Sequence, residues 1–591
     1  MNTAALYHRP ESEFAYLYTQ NEVHVRVRAA KEDIKKVTLI YGDPYSWSTS
    51  GVGNADNQDT QNVWLSHKKV MQKLATTETS DYFEAKVSVP TKRLDYVFVV
   101  EGADGEKIIL TDKGVMPYKR ALLISKYGAF RLPYFHEVDR FQAPEWAHDR
   151  VWYQIFPERF ANGDTSNDPE NVKAWTDTAP DRQDFYGGDL QGVLDHLDHL
   201  STLGVNGIYF CPVFKASTNH KYDTEDYLAI DPHFGDKKLF KKVIDAAHAR
   251  GIKVMLDAVF NHIGDTSPQW QDVLENQERS RYKDWFHINS FPVVGDEAVD
   301  NAEVSENLSY DTFAFTPHMP KLNTANAEVQ AYLLEIAAYW IREFDIDAWR
   351  LDVADEVDHA FWKKFRAVCD AAKDDFYILG EVWHSAQPWL VGDEFSAVMN
   401  YTYTGAIEDY FLTHKLTLSQ MIATLNEQLM LYRKQTSQVM FNVLDSHDTP
   451  RVLTVAKGDK DLMRQVEAFT YLQPGVPCIY YGDEFAMTGG MDPDCRKPMV
   501  WAAEKQDHAM FAFFKELVAF RKMWARELAE SELDWLRADE KSGLIELRRG
   551  ALSGVFNTGK KAVSYDKRGK VQLSQLTADG KIAPKGFVIF R

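Results

Sequence analysis

Eight short apolar runs alternate with amphipathic helical stretches in the middle of this chain, and this alternation constrains its fold more than any other feature. The runs cover residues 151–156, 207–212, 253–260, 348–353, 377–382, 397–401, 440–444 and 478–481. Short apolar runs that alternate with helices indicate parallel strands joined by crossovers. Eight such units predict a closed (β/α)8 TIM barrel, an α/β fold, rather than an open sheet.

The sequence on both sides of the barrel predicts β domains. Residues 1–125 alternate apolar and polar positions in short runs, which predicts an N-terminal β-sandwich. A linker over 126–147 leads to the barrel, which we expect at 148–505 with an irregular insertion of about 263–320 after the third strand. Residues 506–591 are predicted to form the last helix and a small C-terminal β domain.

The composition excludes several classes of protein. A formal net charge of −20 repels phosphate backbones and anionic lipids, so it favours a neutral ligand over nucleic acid or a membrane. The four cysteines stand singly, which indicates neither a zinc site nor a disulfide scaffold. The first residues lack a basic start followed by an apolar core, and no later apolar run is long enough to span a bilayer. We therefore expect a cytoplasmic location.

Four of the predicted strands end in polar residues, at the edge of a TIM barrel where active sites lie. The segments are LDAVFNH at 256–262, WRLDVA at 349–354, LGEVWH at 379–384 and NVLDSHDT at 442–449. A single Asp or His at a strand end is more often a cap or a loop hydrogen bond. Four strand ends that carry such residues together favour a catalytic site.

Two carboxyl groups in these segments have environments that suit different chemical roles. Arg350 and Asp352 are two apart on a strand and point to the same face, so an ion pair would keep Asp352 charged, as a nucleophile requires. An interior salt bridge without a catalytic role is the alternative. The apolar neighbours of Glu381 disfavour its charged form and suit a general acid. These are the minimum groups for glycoside hydrolysis, and Asp448 adds a third carboxyl group.

These four segments resemble the four signature regions of the α-amylase superfamily of glycoside hydrolases, in the same order and spacing. The stretch MPKLN at 319–323 resembles a fifth region of the neopullulanase, cyclomaltodextrinase and maltogenic amylase group, and so does the N-terminal β domain. The resemblance covers nearly the whole chain. It implies a retaining hydrolase of α-1,4-glucosidic bonds in cyclomaltodextrins, pullulan and short maltodextrins, with some transglycosylation.

The resemblance also implies a role for individual residues. It gives Asp352 as the nucleophile, Glu381 as the general acid and then base, and Asp448 as the group that orients sugar hydroxyls. The implied substrate contacts are Tyr222, His262, Arg350, Trp383, His447, Asp492 and Arg496. Simple core packing is the alternative for Tyr222 and Trp383. Asp355 departs from the family pattern, because many members have Asn there, and this departure concerns acceptor preference.

A calcium site and a dimer are further expectations. Clustered Asp and Asn oxygens on a glycine-containing loop suit calcium, although most such loops are ordinary turns. The resemblance implies structural Ca²⁺ held by Asn162, Asp164, Asn167, Asp168, the carbonyl of Gly187, and Asp189. It also implies a homodimer in which the N-terminal domain walls the partner's cleft. Tyr45 and Trp47 lie on a turn-rich loop and are candidates for that wall, unless both rings fold back onto their own domain.

Other functions remain open at this point. An α-glucosidase or glucosyltransferase of the same superfamily is the nearest enzymatic alternative. A non-catalytic sugar-binding scaffold would keep the barrel but lack catalytic carboxylates, whereas this sequence has all three. A metal-dependent mechanism is disfavoured because no histidine-rich ligand set accompanies the carboxylates.

Overall fold

The computed structural model describes residues 1–48, 62–176, 178–294, 305, 307–566 and 568–591. They divide into two compact units, of which the first comprises Met1–Gln142 and Ser419–Ser437 and the second comprises Ala143–Leu418 and Gln438–Arg591. Within the described ranges, every helix is too short or too polar to cross a bilayer.

The strands and helices follow the chain in three groups. The first unit contains β1 (Ala15–Leu17), β2 (Glu22–Ala30), β3 (Ile34–Gly42), β4 (Trp47–Ser48), β5 (Val63–Trp64), β6 (His67–Val70), β7 (Gln72–Thr76), β8 (Ser80–Ser88), β9 (Leu94–Gly102), β10 (Lys107–Thr111), β11 (Gly114–Pro117) and β12 (Phe130–Leu132). The second unit begins with β13 (Trp152–Ile155), β14 (Gly207–Phe210), β15 (Phe214–Ala216), β16 (Thr224–Ile230), β17 (Lys253–Ala258), β18 (Ala348–Leu351), β19 (Tyr377–Gly380), β20 (Ala397–Val398), β21 (Phe441–Asn442) and β22 (Val476–Tyr480). It ends with β23 (Leu533–Asp539), β24 (Leu544–Arg549), β25 (Leu552–Asn557), β26 (Val563–Ser564), β27 (Val571–Ala578) and β28 (Lys581–Phe590). The α-helices are α1 (Arg120–Ile124), α2 (Pro157–Phe160), α3 (Leu190–Asp195), α4 (Leu197–Leu203), α5 (Lys237–His248), α6 (Pro268–Asn276), α7 (Ala327–Phe344), α8 (His359–Ala372), α9 (Tyr401–Ile407), α10 (Leu418–Leu431), α11 (Lys434–Val439), α12 (Val452–Val455), α13 (Lys460–Leu472), α14 (His508–Met523) and α15 (Ala525–Glu530).

The second unit is built around a nearly closed parallel barrel. Its eight strands are hydrogen-bonded in the order β20-β19-β18-β17-β14-β13-β22-β21. The two ends of this order meet at a parallel bridge between Met399 and Phe441, where the N–H of Asn400 donates to the Phe441 carbonyl at 2.9 Å. The predicted barrel is confirmed. The strands that carry the two main carboxyl residues are shorter than predicted, because the ladder stops before these residues: β18 ends at Leu351 and β19 at Gly380.

Helix α7 illustrates how the sequence sets a barrel helix. The Asn326 side chain accepts a hydrogen bond from the N–H of Glu328 at 2.8 Å and caps the helix N-terminus. Apolar residues three and four apart, such as Val329 and Leu333, are fully buried against the barrel core. The helix ends at Asp345, whose φ of 62° is left-handed. The chain then turns directly into β18, which carries the catalytic segment.

The first unit is a β-sandwich, as the alternating pattern predicts. One sheet has the order β1-β2-β8-β7, and the other has the order β11-β10-β9-β3-β6 with β12 paired to β9. Alternate residues of β2, including Val23, Val25 and Val27, share one buried cluster with Val37 and Leu39 of β3. This arrangement follows from the two-residue period of a strand that buries one face.

The extent of this unit differs from the prediction in two places. Strand β12 lies in the segment 126–147, which was expected to be a linker. Helix α10, which lies between two barrel strands in sequence, packs with the sandwich: Met430 joins a buried cluster with Phe14 and Tyr82. The Asn426 amide also donates to the Thr76 carbonyl at 2.8 Å. Contacts between residues so distant in sequence leave no local pattern that could predict them.

The remaining segments agree with the expected order. The insertion predicted at about 263–320 contains α6 and irregular chain, and residues 295–304 and 306 of it lie outside the described residues. The C-terminal β domain forms a sheet of order β23-β24-β25-β28-β26, with β27 also paired to β28.

Candidate active site

The register of two neighbouring strands brings the main carboxyl groups side by side. Leu351 of β18 pairs with Gly380 of β19, so the next residues, Asp352 and Glu381, leave the sheet together. The N–H of Glu381 donates to the Leu351 carbonyl at 2.9 Å. Both carboxyl residues are 6% exposed, at the mouth of the barrel. Gly380 is required by space, because a Cβ there would lie 2.5 Å from the Phe395 ring.

The buried Arg350 guanidinium serves three carboxyl groups at once. Its Nη1 lies 2.8 Å from Asp352 Oδ1 and 3.0 Å from Asp257 Oδ1, and its Nη2 lies 2.8 Å from Glu381 Oε2. The predicted Arg350–Asp352 ion pair is confirmed. The sequence analysis did not single out Asp257, although it ends a barrel strand in the same way.

The single positive charge of Arg350 does not neutralise the three buried carboxylates of Asp257, Asp352 and Glu381. Burial raises the pKa of Asp352 well above its ordinary value, and the charge of Arg350 opposes that rise. Burial likewise raises the pKa of Asp257 to about 6. The sequence analysis expected Arg350 to keep Asp352 charged; burial, Asp257 and Glu381 oppose that effect, so the charge state of Asp352 stays a prediction. We infer that the cluster retains a proton near neutral pH.

Two N–H groups hold the Glu381 carboxylate in place. The Val353 N–H donates to Oε2 at 2.9 Å, and the Trp383 Nε1–H donates to Oε1 at 3.0 Å. Val353 has φ 45° and ψ 45°, a left-handed conformation that costs a β-branched residue about 1–3 kcal/mol. The strained turn after Asp352 thus aims a backbone donor at Glu381. Nothing in the local sequence predicts it, because valine avoids this conformation.

Trp383 also extends the site outward. Its ring stacks on Tyr401 with centroids 3.6 Å apart and planes 4° apart. The residue is nevertheless 49% exposed. Trp383 therefore presents an aromatic surface beside Glu381, as expected for a sugar-binding residue.

A buried hydrogen-bond chain runs from Gln154 to Asp257. Gln154 Nε2 lies 2.7 Å from His447 Nδ1, His447 Nε2 lies 2.6 Å from Tyr222 Oη, and Tyr222 Oη lies 2.9 Å from Asp257 Oδ2. Burial lowers the pKa of His447 well below its ordinary value, so the ring is neutral. If Gln154 donates to Nδ1, then Nε2–H donates to Tyr222 and Tyr222 donates to Asp257. Tyr209 Oη donates to the same carboxylate at 2.8 Å.

His262 lies behind Tyr222 and is also uncharged. Its Nε2 is 3.1 Å from the Tyr222 carbonyl, and its ring stacks on Phe313 with centroids 5.2 Å apart. Burial lowers the pKa of His262 to about 3. Both site histidines therefore act as neutral hydrogen-bonding groups, which suits an uncharged sugar.

The remaining predicted contacts lie in the segments that follow β21 and β22. Arg496 Nη1 lies 2.9 Å from Asp492 Oδ1, and Nη2 lies 3.5 Å from Asp448 Oδ1. Its Nε–H donates to the His447 carbonyl at 2.8 Å. Burial raises the pKa of Asp448. Asp355, the departure from the family pattern, pairs with His384 at 3.1 Å between Oδ2 and Nε2.

Two side-chain oxygens of the predicted calcium loop lack a hydrogen-bond partner, as oxygens that bind a metal ion would. The Oδ1 atoms of Asn162 and Asn167 are buried and without a hydrogen-bond partner. A Cβ on Gly187, whose φ is +79°, would lie 2.3 Å from Asp168 Oδ1 and 2.5 Å from Asn162 Nδ2. Unpaired amide oxygens beside a carboxylate are the hard oxygen donors that Ca²⁺ prefers.

Other residues of that loop are already engaged. Asp189 accepts hydrogen bonds from the N–H groups of Gly163 and Gly192 on Oδ1, at 2.9 and 2.6 Å, and from the Asp164 N–H on Oδ2 at 2.9 Å. Asp189 therefore fits a loop anchor and helix cap better than a direct ligand. Asp164 accepts from the Ser166 N–H and hydroxyl. Within the described ranges, no group of three or more His, Cys, Asp or Glu side chains is placed to hold a metal ion.

The two candidate wall residues of the first unit differ in exposure. Tyr45 is 69% exposed and Trp47 is 38% exposed. The Trp47 Nε1–H donates to the Pro44 carbonyl at 3.1 Å, and Lys126 Nζ lies 5.5 Å from its ring centroid. Arg93 lies 5.2 Å from the Tyr45 ring. Trp47 thus folds partly back onto its own domain, whereas most of Tyr45 faces solvent.

The site lies at the strand ends of a TIM barrel and contains two adjacent carboxyl groups, an arginine and neutral histidines. This is the architecture of a glycoside hydrolase. Residues 154–534 match the family model described as "Alpha amylase, catalytic domain", and residues 1–136 match "Alpha amylase, N-terminal ig-like domain". The chain belongs to the α-amylase family.

Named relatives resemble the chain over most of its length. The intracellular maltogenic amylase of Bacillus subtilis (strain 168) is 51% identical over 93% of this chain and 89% of its own. Neopullulanase 2 of Thermoactinomyces vulgaris is 42% identical over 92% of this chain and 88% of its own. A solved cyclomaltodextrinase structure has a TM-score of 0.87 and 44% identity, covering 100% of this chain and 98% of the other.

Proposed function

We propose that this protein is a retaining α-glucan hydrolase that cleaves α-1,4-glucosidic bonds of cyclomaltodextrins, pullulan and short maltodextrins, with some transglycosylation. The observation that carries the proposal is the β18/β19 register, which sets Asp352 beside Glu381 around Arg350. The names of the relatives, which include maltogenic amylase, neopullulanase and cyclomaltodextrinase, support the substrate class.

The mechanism follows from two carboxyl groups with separate tasks. The Asp352 carboxylate attacks the anomeric carbon while Glu381 gives its proton to the departing glycosidic oxygen, so the sugar becomes covalently attached to Asp352. Glu381, now ionised, then takes a proton from water, and the resulting oxygen displaces Asp352 from the sugar. Two displacements at one carbon retain its configuration. A sugar hydroxyl in place of water gives transglycosylation.

The surrounding residues would bind and orient the sugar. Tyr222 offers its ring beneath the reacting glucose, and the neutral rings of His262 and His447, which bind the carbonyl and the hydroxyl of Tyr222, would line the same subsite. Asp448 accepts from hydroxyls whose hydrogen bonds strengthen as the transition state forms. Asp492 and Arg496 contact the next sugar on the glycone side, which is the part that remains with Asp352. Trp383 contacts the acceptor side.

The proposal is tested by removing each chemical role without disturbing packing. Asp352→Asn and Glu381→Gln are each expected to lower kcat on β-cyclodextrin by several orders of magnitude with an unchanged melting curve. Glu381→Gln should partly spare the first step on glucosides with good leaving groups, because these need little proton donation. Asp393→Asn, at an exposed carboxylate, is the matched control. Retained activity in either variant would refute the role assigned to that residue, whereas a wild-type protein without activity would favour a non-catalytic sugar-binding scaffold.

A comparison of substrates separates this function from the nearest alternative. An α-glucosidase or glucosyltransferase of the same superfamily would act on chain ends or mainly transfer glucose to acceptors. Rates on β-cyclodextrin, pullulan and starch distinguish these enzymes. Panose from pullulan is the expected product, whereas isopanose or maltotriose would contradict the proposed bond specificity.

We further propose a structural Ca²⁺ ion held by the oxygens of Asn162, Asn167, Asp168 and Gly187, with Asp164 nearby and Asp189 as the anchor of the loop. When bound, the ion would supply positive charge that ties these loop oxygens together, away from the catalytic strand ends.

A homodimer in which Tyr45 and Trp47 reach a partner's cleft is proposed on the exposure of Tyr45. A cytoplasmic location is supported by the name of the Bacillus subtilis relative.

A further inference from the structure

Charged side chains continue in a line beyond Asp448 towards the surface. Asp448 contacts Arg496 at 3.5 Å, Arg496 contacts Asp492 at 2.9 Å, and Arg182 Nη1 lies 3.4 Å from Asp492 Oδ2. Arg182 is the most exposed side chain of the line, at 59%, against 30% for Asp448, 11% for Arg496 and 24% for Asp492. Arg182 is therefore the outermost member of a series that begins at the reacting sugar.

The series of ion pairs from Asp448 to Arg182 extends away from the leaving group. Glu381 must face the oxygen of the bond that breaks, and Trp383, which donates to Glu381, marks the side of the departing sugar. Asp448 and Arg496 follow two other strands, β21 and β22. A glucan chain bound for cleavage therefore extends its glycone part along Arg496 and Asp492 towards Arg182.

The backbone that carries Arg182 is held in place. The Asn219 Nδ2 amide, itself 4% exposed, donates to the carbonyls of Arg182 and Asp184 at 2.7 and 2.9 Å. The buried Arg159 guanidinium donates to the Asp184 carbonyl at 2.7 Å. These hydrogen bonds fix the backbone at residues 182 and 184. The Arg182 guanidinium therefore reaches Asp492 from a backbone that is held in place.

We propose that Arg182 is a specificity-determining residue that ends the glycone side after a disaccharide. The inference rests on the proposed function. A linear chain that places a third glucose on the glycone side would have to break the ion pair between Arg182 and Asp492. Because an exposed ion pair is weak, it disfavours the third glucose without excluding it. The arrangement thus favours maltose release from linear chains.

The test uses maltohexaose tagged at its reducing end, so that each untagged fragment reports the length bound on the glycone side. The wild-type protein should release mainly untagged maltose in the first turnovers. Arg182→Ala and Arg182→Gln should each raise the ratio of untagged maltotriose to maltose about threefold, the scale of one exposed ion pair. Arg526→Ala, which breaks an exposed ion pair with Glu530 on α15, is the control and should keep the wild-type ratio.

Because a product ratio does not depend on the fraction of active protein, weak expression of a variant does not obscure the result. An unchanged ratio in both Arg182 variants, or a wild-type protein that releases mostly longer fragments, would overturn the inference. Failure of the proposed function would look different, since the wild-type protein would then cleave neither tagged maltohexaose nor β-cyclodextrin.

Discussion

The indole of Trp383 has two separate contacts, and each is expected to serve a different step. Its Nε1–H binds Glu381, while its ring lies flat against Tyr401. A hydrogen bond to a charged group contributes about 1.5–3 kcal/mol. Loss of the Nε1–H should therefore affect proton transfer at Glu381, whereas loss of the ring should affect binding of the acceptor sugar.

Two substitutions separate these contacts. Trp383→Phe keeps an aromatic ring on Tyr401 but removes the donor, so kcat for β-cyclodextrin should fall by about tenfold, the equivalent of about 1.4 kcal/mol, while the ratio of transfer to hydrolysis stays near wild type. Trp383→Ala should lower kcat similarly and reduce transfer to added glucose as well. Product analysis at saturating substrate gives both quantities. Equal loss of transfer in the two variants would contradict the separation.

The sequence was most informative at residues that end an apolar run. Asp352, Glu381 and Asp448 could be predicted because a charged residue after a buried strand must lie at its end. Asp257 was missed because its role depends on contact with Arg350 of the neighbouring strand, which its own run 253–260 does not indicate. Val353 could not be predicted, since its left-handed conformation arises from packing around the turn and opposes the preference of valine.

At the scale of elements, Arg451 joins the segments that follow β21 and β22. Its Nη1 lies 3.0 Å from Asp483 Oδ1, and its Nε–H donates to the Cys495 carbonyl at 3.1 Å. Asp445 accepts from the Val452 N–H at 2.6 Å, and its carboxyl group interacts with that of Asp483. Two buried carboxyl groups beside a single arginine favour a proton on one of them. Burial raises the pKa of Asp483 well above its ordinary value, and Asp445 and the buried Glu467 add to the rise.

The Asp445–Asp483 pair makes the stability of the fold depend on pH in a direction that can be predicted. A carboxyl group whose folded-state pKa is raised stabilises the fold below its unfolded-state pKa, and that contribution is lost as the pH rises through the folded-state pKa. Asn at position 483 would imitate the neutral acid, accepting from Arg451 and donating to Asp445. Asp483→Asn should therefore lose less melting temperature than the wild type as the pH rises above the unfolded-state pKa of aspartate, about 4.

Asp483→Ala provides the contrast, because it leaves Arg451 without its carboxyl partner. We expect a destabilisation of about 3 kcal/mol at neutral pH, the scale of a broken buried ion pair, against less than about 1 kcal/mol for Asp483→Asn. Urea unfolding measures both changes. If the two variants are equally destabilised, the charge of Asp483 rather than its proton holds the two segments.

At the scale of the whole molecule, bound calcium should change stability more than chemistry. A ligand that binds only the folded state stabilises it by about 2.7 kcal/mol at a hundredfold excess over its Kd. Chelation should lower the melting temperature by several degrees, and added Ca²⁺ should restore it, with kcat unchanged below the transition. Asn162→Ala should abolish the response to chelator. An identical melting curve in chelator, with no metal in the purified protein, would remove the proposed site.

The proposed dimer is a second property of the whole molecule. A Tyr45→Ala/Trp47→Ala double variant should sediment increasingly as a monomer and lose part of its preference for β-cyclodextrin over starch, because a wall from the partner would narrow the cleft. Tyr118→Ala/Tyr134→Ala removes two other exposed rings of the first unit and is the control. A wild-type protein that sediments as a monomer yet keeps the preference would show that one chain shapes the cleft.

The order of elements along the chain was largely predictable, because hydrophobic periodicity is local. The assignment of Ser419–Ser437 to the first unit was not, since it depends on side chains such as Phe14 and Met430 that meet only after folding.

That assignment has a topological consequence. The chain passes from the first unit to the second after Gln142, returns at Ser419 and leaves again after Ser437. A single proteolytic cut between 142 and 143 therefore cannot free the sandwich, because α10 remains covalently continuous with the barrel on both sides. Deletion of residues 1–125 would remove the buried partners of α10 and leave apolar side chains of this helix exposed. The first unit is thus formed by two separate stretches of the chain. Deleting one stretch would cause misfolding, which would obscure any change in substrate specificity.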